Sequence, residues 1–274
     1  MKIVNLIENT QGSCGLRFEH GLSFYVETER HKLLVDTGAS AAFLENAKAL
    51  GVDLTAVDLL ILSHGHYDHS GGILAFADIN PHAKILMQKT AAGDYYHKDA
   101  VEERYIGIDK RILALPQVEL LDGDVTIDDE ISIFTHVTGR KLWPSGNVVL
   151  KQKTEHGFVQ DMFAHEQCVV ITEKGKHVLL SGCAHNGILN ILERYAQLHG
   201  GAPDDVFSGF HMMKKHGDYT EAELQTIRET GRALAKLPTV FYTGHCTGEP
   251  AYRLLKEQMG EQLHYCYSGD SYII

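Results

Sequence analysis

The chain lacks any stretch approaching the roughly 18 uninterrupted apolar residues that a membrane span needs. The opening run, residues 1–8 (MKIVNLIE), is too short for the apolar region of a signal peptide and already carries Asn and Glu. The expectation is a soluble cytoplasmic protein with no membrane partner. Basic residues are in deficit, 25 against 36 acidic, and the formal charge of −11 gives an unfavourable field for a polyanion, which argues against general nucleic-acid binding. Five cysteines, an odd number scattered over 274 residues, do not form a disulfide framework, so reduced thiols are expected. Proline is scarce at six residues, and no Pro/Gly/Ser-rich stretch divides the sequence, so one domain is read over residues 1–274.

Histidine is in excess. There are 17, and imidazole is the commonest metal ligand, so their placement decides their meaning. Strand-like apolar segments alternate with helical periods: 22–27 and 32–35 as a hairpin, a helical stripe over 41–50 closed by Gly51, and the apolar run 57–62, typical of a strand buried on both faces. That run ends in His64-Gly65-His66-Tyr67-Asp68-His69, and a helical pattern resumes at Ile73. Three later units repeat the theme of strand, Gly-containing turn with His, and helix. The strand pair 169–172/177–180 leads to Cys183 and His185 before a helix over 188–198. Strand 206–207 leads to His211 and a helix opened by the capping box Thr220-x-x-Glu223. Strand 239–242 leads to His245 and a helix near 251–259. Strands ending at one edge would gather these histidines where α/β sites form. Residues 88–165 show little periodicity beyond strand candidates at 118–121 and 131–134, and read as an insertion supplying a substrate pocket.

Three imidazoles and a carboxylate packed straight after a buried strand have no core-packing rationale and suit Zn, Mn or Fe. With alternation along an extended loop, His64 and His66 would face one ion, and Asp68 and His69 a second.

The HGHYDH motif, with Asp36-Thr37-Gly38 ending an earlier strand, resembles the metallo-β-lactamase superfamily of αββα four-layer sandwich hydrolases. Further segments are similar to one branch, the group of 7,8-dihydropterin-6-methyl-4-(β-D-ribofuranosyl)aminobenzene-5′-phosphate synthase-like proteins. These are Glu19-His20-Gly21-Leu22-Ser23-Phe24, Asn46-Ala47-x-x-Leu50-Gly51, Gly182-Cys183-x-His185-x-Gly187-Ile188, Gly209-Phe210-His211 and Gly244-His245-Cys246-Thr247-Gly248. The resemblance spans almost the whole chain and is weakest over 88–165.

The resemblance implies His64 and His66 in a first metal site, Asp68, His69 and His245 in a second, and Cys183 at the bridging position. His185 is assigned as the remaining histidine ligand. Because no Gly-His-Ser/Thr motif precedes its strand, Asp161, His165 and Glu166 stay open as ligands of the first site. Asp36 is read as supporting the metal loop. His211 is read as a proton donor, a substrate contact or a structural histidine, His20 as structural or pocket-lining, and Cys246 as pointing away from the site. Residues 94–98 line a pocket or form an exposed insertion, and Lys214-Lys215-His216 is a solvated run or a phosphate contact.

The expected cofactors are two divalent ions, Zn first, with Mn or Fe as alternatives, about 3.5 Å apart. The leading expectation is hydrolysis of a small ester or phosphoester, with a phosphorylated small molecule as the expected substrate and Asp68 and His211 as catalytic groups. The alternatives are a synthase-type condensation with pyrophosphate release, iron-based oxidative chemistry, and a non-catalytic metal-bearing sensor. A nuclease conflicts with the acidic charge.

Overall fold

Leu33-Leu34-Val35 and Leu59-Leu60-Ile61 are apolar at every position, so the sheet they form needs cover on both faces. In the computed structural model, which describes residues 1–12, 15–214 and 217–274, it has that cover. The first sheet runs in the order Ser271–Ile273, Lys2–Ile7, Ser23–Glu27, Lys32–Val35, Leu59–Ile61, Lys84–Gln88 and Val118–Leu121. It is antiparallel up to Lys32–Val35 and parallel beyond. The second sheet runs in the order Leu263–Tyr265, Val240–Thr243, Asp205–Phe207, Lys176–Leu180, Cys168–Glu173, Ile131–Phe134 and Val125–Thr126, parallel first and then antiparallel.

The period of two sorts the side chains into layers. Leu33, Val35, Ile61 and Leu86 of the first sheet meet Val169, Ile171, Val178 and Leu180 of the second in a shared inner core. Their neighbours Leu34, Leu60, Ile85 and Met87 face outward, onto Phe43 and Ala47 of helix Ala42–Ala49 and Ile73 and Phe76 of helix Ile73–Ile79. On the opposite outer face, Val170, Leu179, Val206 and Phe241 meet helices Ile188–His199, Glu221–Leu234 and Glu249–Met259. The result is the expected αββα sandwich. The Thr220/Glu223 capping box is formed. Among the described residues no helix is long and apolar enough to cross a membrane, and Cys168, Cys183, Cys246 and Cys266 are free thiols; Cys14 lies outside the described residues.

Residues 88–165 divide. The strands at 118–121 and 131–134 are present, but one extends the first sheet and the other the second. The rest builds a separate antiparallel sheet of Gly157–Gln160, Leu150–Thr154, Asp94–Lys98 and Glu103–Tyr105.

His31 clamps the edges of the two main sheets together. Its Nδ1 lies 2.6 Å from Asp58 Oδ2, beside the first sheet, and its Nε2 2.8 Å from Asp128 Oδ2, beside the second. Burial acts to lower its pKa, but the bonds to Asp128 and Asp58 outweigh that and raise it. A raised imidazole pKa contributes stability that is full below about 6.5, the unfolded value, and lost as pH rises through the folded value. The stability lost in His31→Gln is therefore expected to be larger at about pH 5.5 than at about pH 9, as read by urea unfolding. A loss independent of pH would contradict the clamp.

Candidate metal centre

The loop after strand Leu59–Ile61 bends at His64–Gly65, where the His66 N–H donates to the His64 carbonyl at 3.0 Å; His66 is extended, with φ −108° and ψ 151°, and Tyr67–Ser70 is a helical turn. This corrects the expectation of a fully extended loop. The change of backbone, rather than strand alternation, puts Asp68 and His69 in a group with Cys183 and His245, although the His69 ring stays 4.1 Å from that of His64.

Asp68, His69, Cys183 and His245 are all buried, and each offers one ligand atom within 4.8 Å of the others. His69 Nε2 lies 3.1 Å from His245 Nε2 and 3.2 Å from Cys183 Sγ. Asp68 Oδ2 lies 3.5 Å from His245 Nε2 and 3.8 Å from His69 Nε2. Each Nδ1 is spoken for: that of His69 donates to Asp36 Oδ2 at 2.6 Å, and that of His245 to Asn9 Oδ1 at 2.8 Å. Both Nε2 atoms therefore present lone pairs to one another, to a sulfur and to a carboxylate, an arrangement that a shared proton or a cation relieves. His69 shows that demand. Burial acts to lower its pKa, but Asp36 and Asp68 outweigh this and raise it to about 9.

The second group is His64, His66 and His185. Their Nε2 atoms are buried without a hydrogen-bond partner, and their ring centroids are 4.6, 4.8 and 4.9 Å apart. Ser63 Oγ gives its proton to Asp36 Oδ2 at 2.6 Å, so at 2.9 Å it accepts from His64 Nδ1. Asn147 Nδ2 donates to the His185 carbonyl at 2.7 Å, so Asn147 Oδ1 accepts from His185 Nδ1 at 3.0 Å. Both rings are thus fixed with lone pairs at Nε2. Burial and the neighbouring imidazoles push His64 and His185 well below their usual pKa, and burial with His165 brings His66 to about 3. Neutral imidazoles are ligands for a borderline cation such as Zn; the His64 and His185 donors group with Cys183 within 4.8 Å, and the adjoining His66 donor groups with Asp161 and His165. Cys183 Sγ is also within 4.8 Å of the His64 and His185 donors, so the sulfur lies between the two groups.

The residues left open for the first site hold loops. His165 Nδ1 accepts the Gly65 N–H at 3.0 Å, and its Nε2 donates to Asp161 Oδ2 at 3.0 Å, although both residues lie within 4.8 Å of a His66 donor. Glu166 accepts the backbone N–H of His185 at 2.6 Å and of Asn186 at 2.9 Å. Asp36, buried, anchors Ser63 and His69, the supporting position expected for it. The local backbone is costly to form. Asp36, Ala184, His211 and His245 all have φ between 49° and 62°, the left-handed region that non-glycine residues adopt chiefly where surrounding structure enforces it. A Cβ on Gly182 would sit 2.2 Å from Ser63 Oγ and 3.0 Å from His64 Nδ1, which explains the glycine before Cys183.

A cavity of about 550 Å³ opens onto both groups. His66, Asp68, Cys183 and His185 form its floor, and Ile106 and Leu150 belong to its apolar wall. His211 lines it, its ring 4.1 Å from that of His185 and its Nδ1 buried without a hydrogen-bond partner. His20 lines it with Nε2 3.3 Å from Asp68 Oδ2. Cys246 lines it too, contrary to the expectation that it points away, because His245–Thr247 is a helical turn rather than extended chain. Of residues 94–98, His97 reaches the cavity and Tyr95 packs on His165 with ring centroids 4.1 Å apart. Lys214 lines the cavity while paired with Glu223 at 2.8 Å; Lys215 and His216 lie outside the described residues. Sequence reasoning missed Asn9 and Asn147, which hold His245 and His185 but stand 236 and 38 positions from them, so no motif spacing announces them.

Residues 16–149 match the model of the metallo-β-lactamase superfamily. The chain is 28% identical, over 98% of its length and 95% of the relative's, to the 7,8-dihydropterin-6-methyl-4-(β-D-ribofuranosyl)-aminobenzene-5′-phosphate synthase of Methanocaldococcus jannaschii. Among solved structures it is similar to Tm1679, described as a metal-dependent hydrolase of the β-lactamase superfamily, with TM-score 0.82, 28% identity, and 100% of this chain and 99% of the other covered. Zn-bound PqqB from Methylobacterium extorquens shares the fold at TM-score 0.61 and 14% identity, with 100% of both chains covered.

Proposed function

Because the chain belongs to the metallo-β-lactamase superfamily and aims two groups of histidine lone pairs at the floor of one cavity, we propose that it is a dinuclear metal-dependent hydrolase of small phosphorylated esters. The observation that carries this is the set of three partnerless Nε2 atoms beside the Asp68/His69/Cys183/His245 group. His64, His66 and His185 would hold one divalent ion, and Asp68, His69 and His245 the other, with Cys183 Sγ available to both; Zn is the leading identity. Such a pair supplies Lewis acidity and a lowered water pKa.

The chain's own groups supply orientation. Asp68 presents carboxylate oxygen to the cavity and can align the attacking water by accepting its proton in a hydrogen bond. His211 Nδ1, partnerless and beside His185, is placed to bond a substrate oxygen. The apolar wall at Ile106 and Leu150 limits water around the reacting bond.

The near end-to-end match to the M. jannaschii synthase favours a second reading, a condensation in which pyrophosphate leaves a pterin. Both readings need an anion beside clustered cations. The test is elemental mass spectrometry of protein purified without chelator, followed by assays with phosphodiesters and with a pterin pyrophosphate plus a ribosylaminobenzene phosphate. Two equivalents of Zn or Mn with phosphoester cleavage support the hydrolase, and pyrophosphate release supports the condensation. Iron with oxygen consumption, or protein that takes up no metal, would sink both.

A further inference from the structure

Asn9, outside every motif in the sequence, touches two histidines of the site through opposite ends of its amide. Backbone groups fix which end is which. Asn9 Oδ1 accepts the N–H of Gly21 at 3.3 Å, and Asn9 Nδ2 donates to the carbonyl of His245 at 3.3 Å. A backbone N–H can only donate and a carbonyl can only accept, so the amide has one orientation.

The consequences for the two rings are opposite. Asn9 Oδ1 lies 2.8 Å from His245 Nδ1, which must therefore carry the proton, leaving the lone pair on Nε2 toward His69, Cys183 and Asp68. Asn9 Nδ2 lies 3.2 Å from His20 Nδ1, which must therefore accept, placing the proton on Nε2, 3.3 Å from Asp68 Oδ2 and at the cavity wall. The two rings lie side by side, centroids 5.2 Å apart, yet one offers the cavity a lone pair and the other an N–H.

We propose that Asn9 is a positioning residue that sets the tautomers of His245 and His20 in opposite senses, so that His245 is a metal ligand while His20 is a hydrogen-bond donor to Asp68 and to substrate oxygen. The inference rests on the dinuclear reading only for the metal at His245; the tautomers follow from Asn9 with or without an ion. Asp68 thereby faces an N–H rather than a lone pair at 3.3 Å, and the cavity gains a neutral donor beside the ligand shell. Ring orientation by such outer partners is worth about 10- to 100-fold in metal affinity.

The experiment is histidine side-chain proton–nitrogen NMR on metal-free protein, followed by zinc titration with elemental analysis. Metal-free wild type should show the Nδ1–H tautomer at His245 and the Nε2–H tautomer at His20. Asn9→Asp, isosteric but without the amide donor, should keep the His245 tautomer and the second zinc while putting a proton on His20 Nδ1. Asn9→Ala should bind the second zinc about 10- to 100-fold more weakly than wild type. Wild-type His20 in the Nδ1–H form, or an Asn9→Asp protein with His20 unchanged, would overturn the assignment, and neither result depends on zinc. Wild type that binds fewer than two zinc ions with both tautomers as stated would overturn the dinuclear reading and leave the role of Asn9 standing.

Discussion

Asp36→Asn is expected to cost about 3–5 kcal/mol of stability in the metal-free protein and to weaken zinc binding about 10- to 100-fold. The carboxylate is buried and meets three donors: Oδ1 accepts the Ser63 N–H at 2.7 Å, and Oδ2 accepts Ser63 Oγ and His69 Nδ1, each at 2.6 Å. An amide has one acceptor end. Turned toward His69 and Ser63 Oγ, its NH₂ faces the Ser63 N–H; turned the other way, it faces two donors. Either orientation strands a buried donor and removes the negative charge that holds His69 upright. Asn tolerates a positive φ well, so the φ of 62° at this position is kept and the variant isolates the charge. Urea unfolding of metal-free wild type and variant measures the first effect, and zinc titration the second. A loss under about 1 kcal/mol with unchanged zinc affinity would show that Asp36 does not organise the site.

The sandwich was legible because its central strands are short and apolar on both faces, and each is followed by a glycine turn and an amphipathic helix. Leu59–Ile61, Asp205–Phe207 and Val240–Thr243 all carry this signature, and the histidines at their C-terminal ends converge as the topology requires. HGHYDH was legible for a related reason: buried polar residues at such density have no packing use. What misled was backbone conformation. Strand-like alternation does not hold over 64–69, where the chain turns helical at Tyr67, and Cys246 faces the cavity because 245–247 is a helical turn. A one-residue change of period reverses the face a side chain occupies.

Of the residues that support the ligands, only Asp36 was legible. Asn9, Asn147 and Glu166 hold the ligands and their loops by hydrogen bonds that span 236, 38 and 19 positions, and one polar residue in a loop leaves no periodic trace. Glu8 belongs with them: buried, it accepts the His245 N–H at 3.1 Å, joining the end of the first strand to a ligand 237 positions away. The third sheet escaped for a different reason. Its strands Asp94–Lys98 (DYYHK) and Leu150–Thr154 (LKQKT) are mostly polar or aromatic, and His97 and Leu150 line the cavity rather than the sandwich core.

The ligand geometry also dictates how metal-free protein responds to acid. His64 and His185 lie well below their usual pKa, and His66 near 3, because burial and crowding by other imidazoles disfavour the charged ring. Between about pH 6.5 and these depressed values the unfolded chain binds protons that the folded chain rejects, so stability falls as pH falls. Each such proton contributes roughly 1.4 kcal/mol per pH unit, and three together approach roughly 4 kcal/mol per unit once the unfolded histidines are protonated. His69 works the other way. Raised to about 9 by Asp36 and Asp68 against the opposing effect of burial, it contributes stability that is full below about 6.5 and lost as pH rises through about 9. Metal-free protein should therefore be most stable near neutrality, with a steep acid limb and a shallower alkaline one. His66→Gln isolates one component, since it removes one rejected proton while keeping a side chain in place. Its acid limb, followed by urea unfolding between about pH 4.5 and 6, should be shallower than wild type by roughly 1.4 kcal/mol per unit. Equal slopes would mean that His66 is protonated in the folded state, and a charged ring there could not present the lone pair the first site requires.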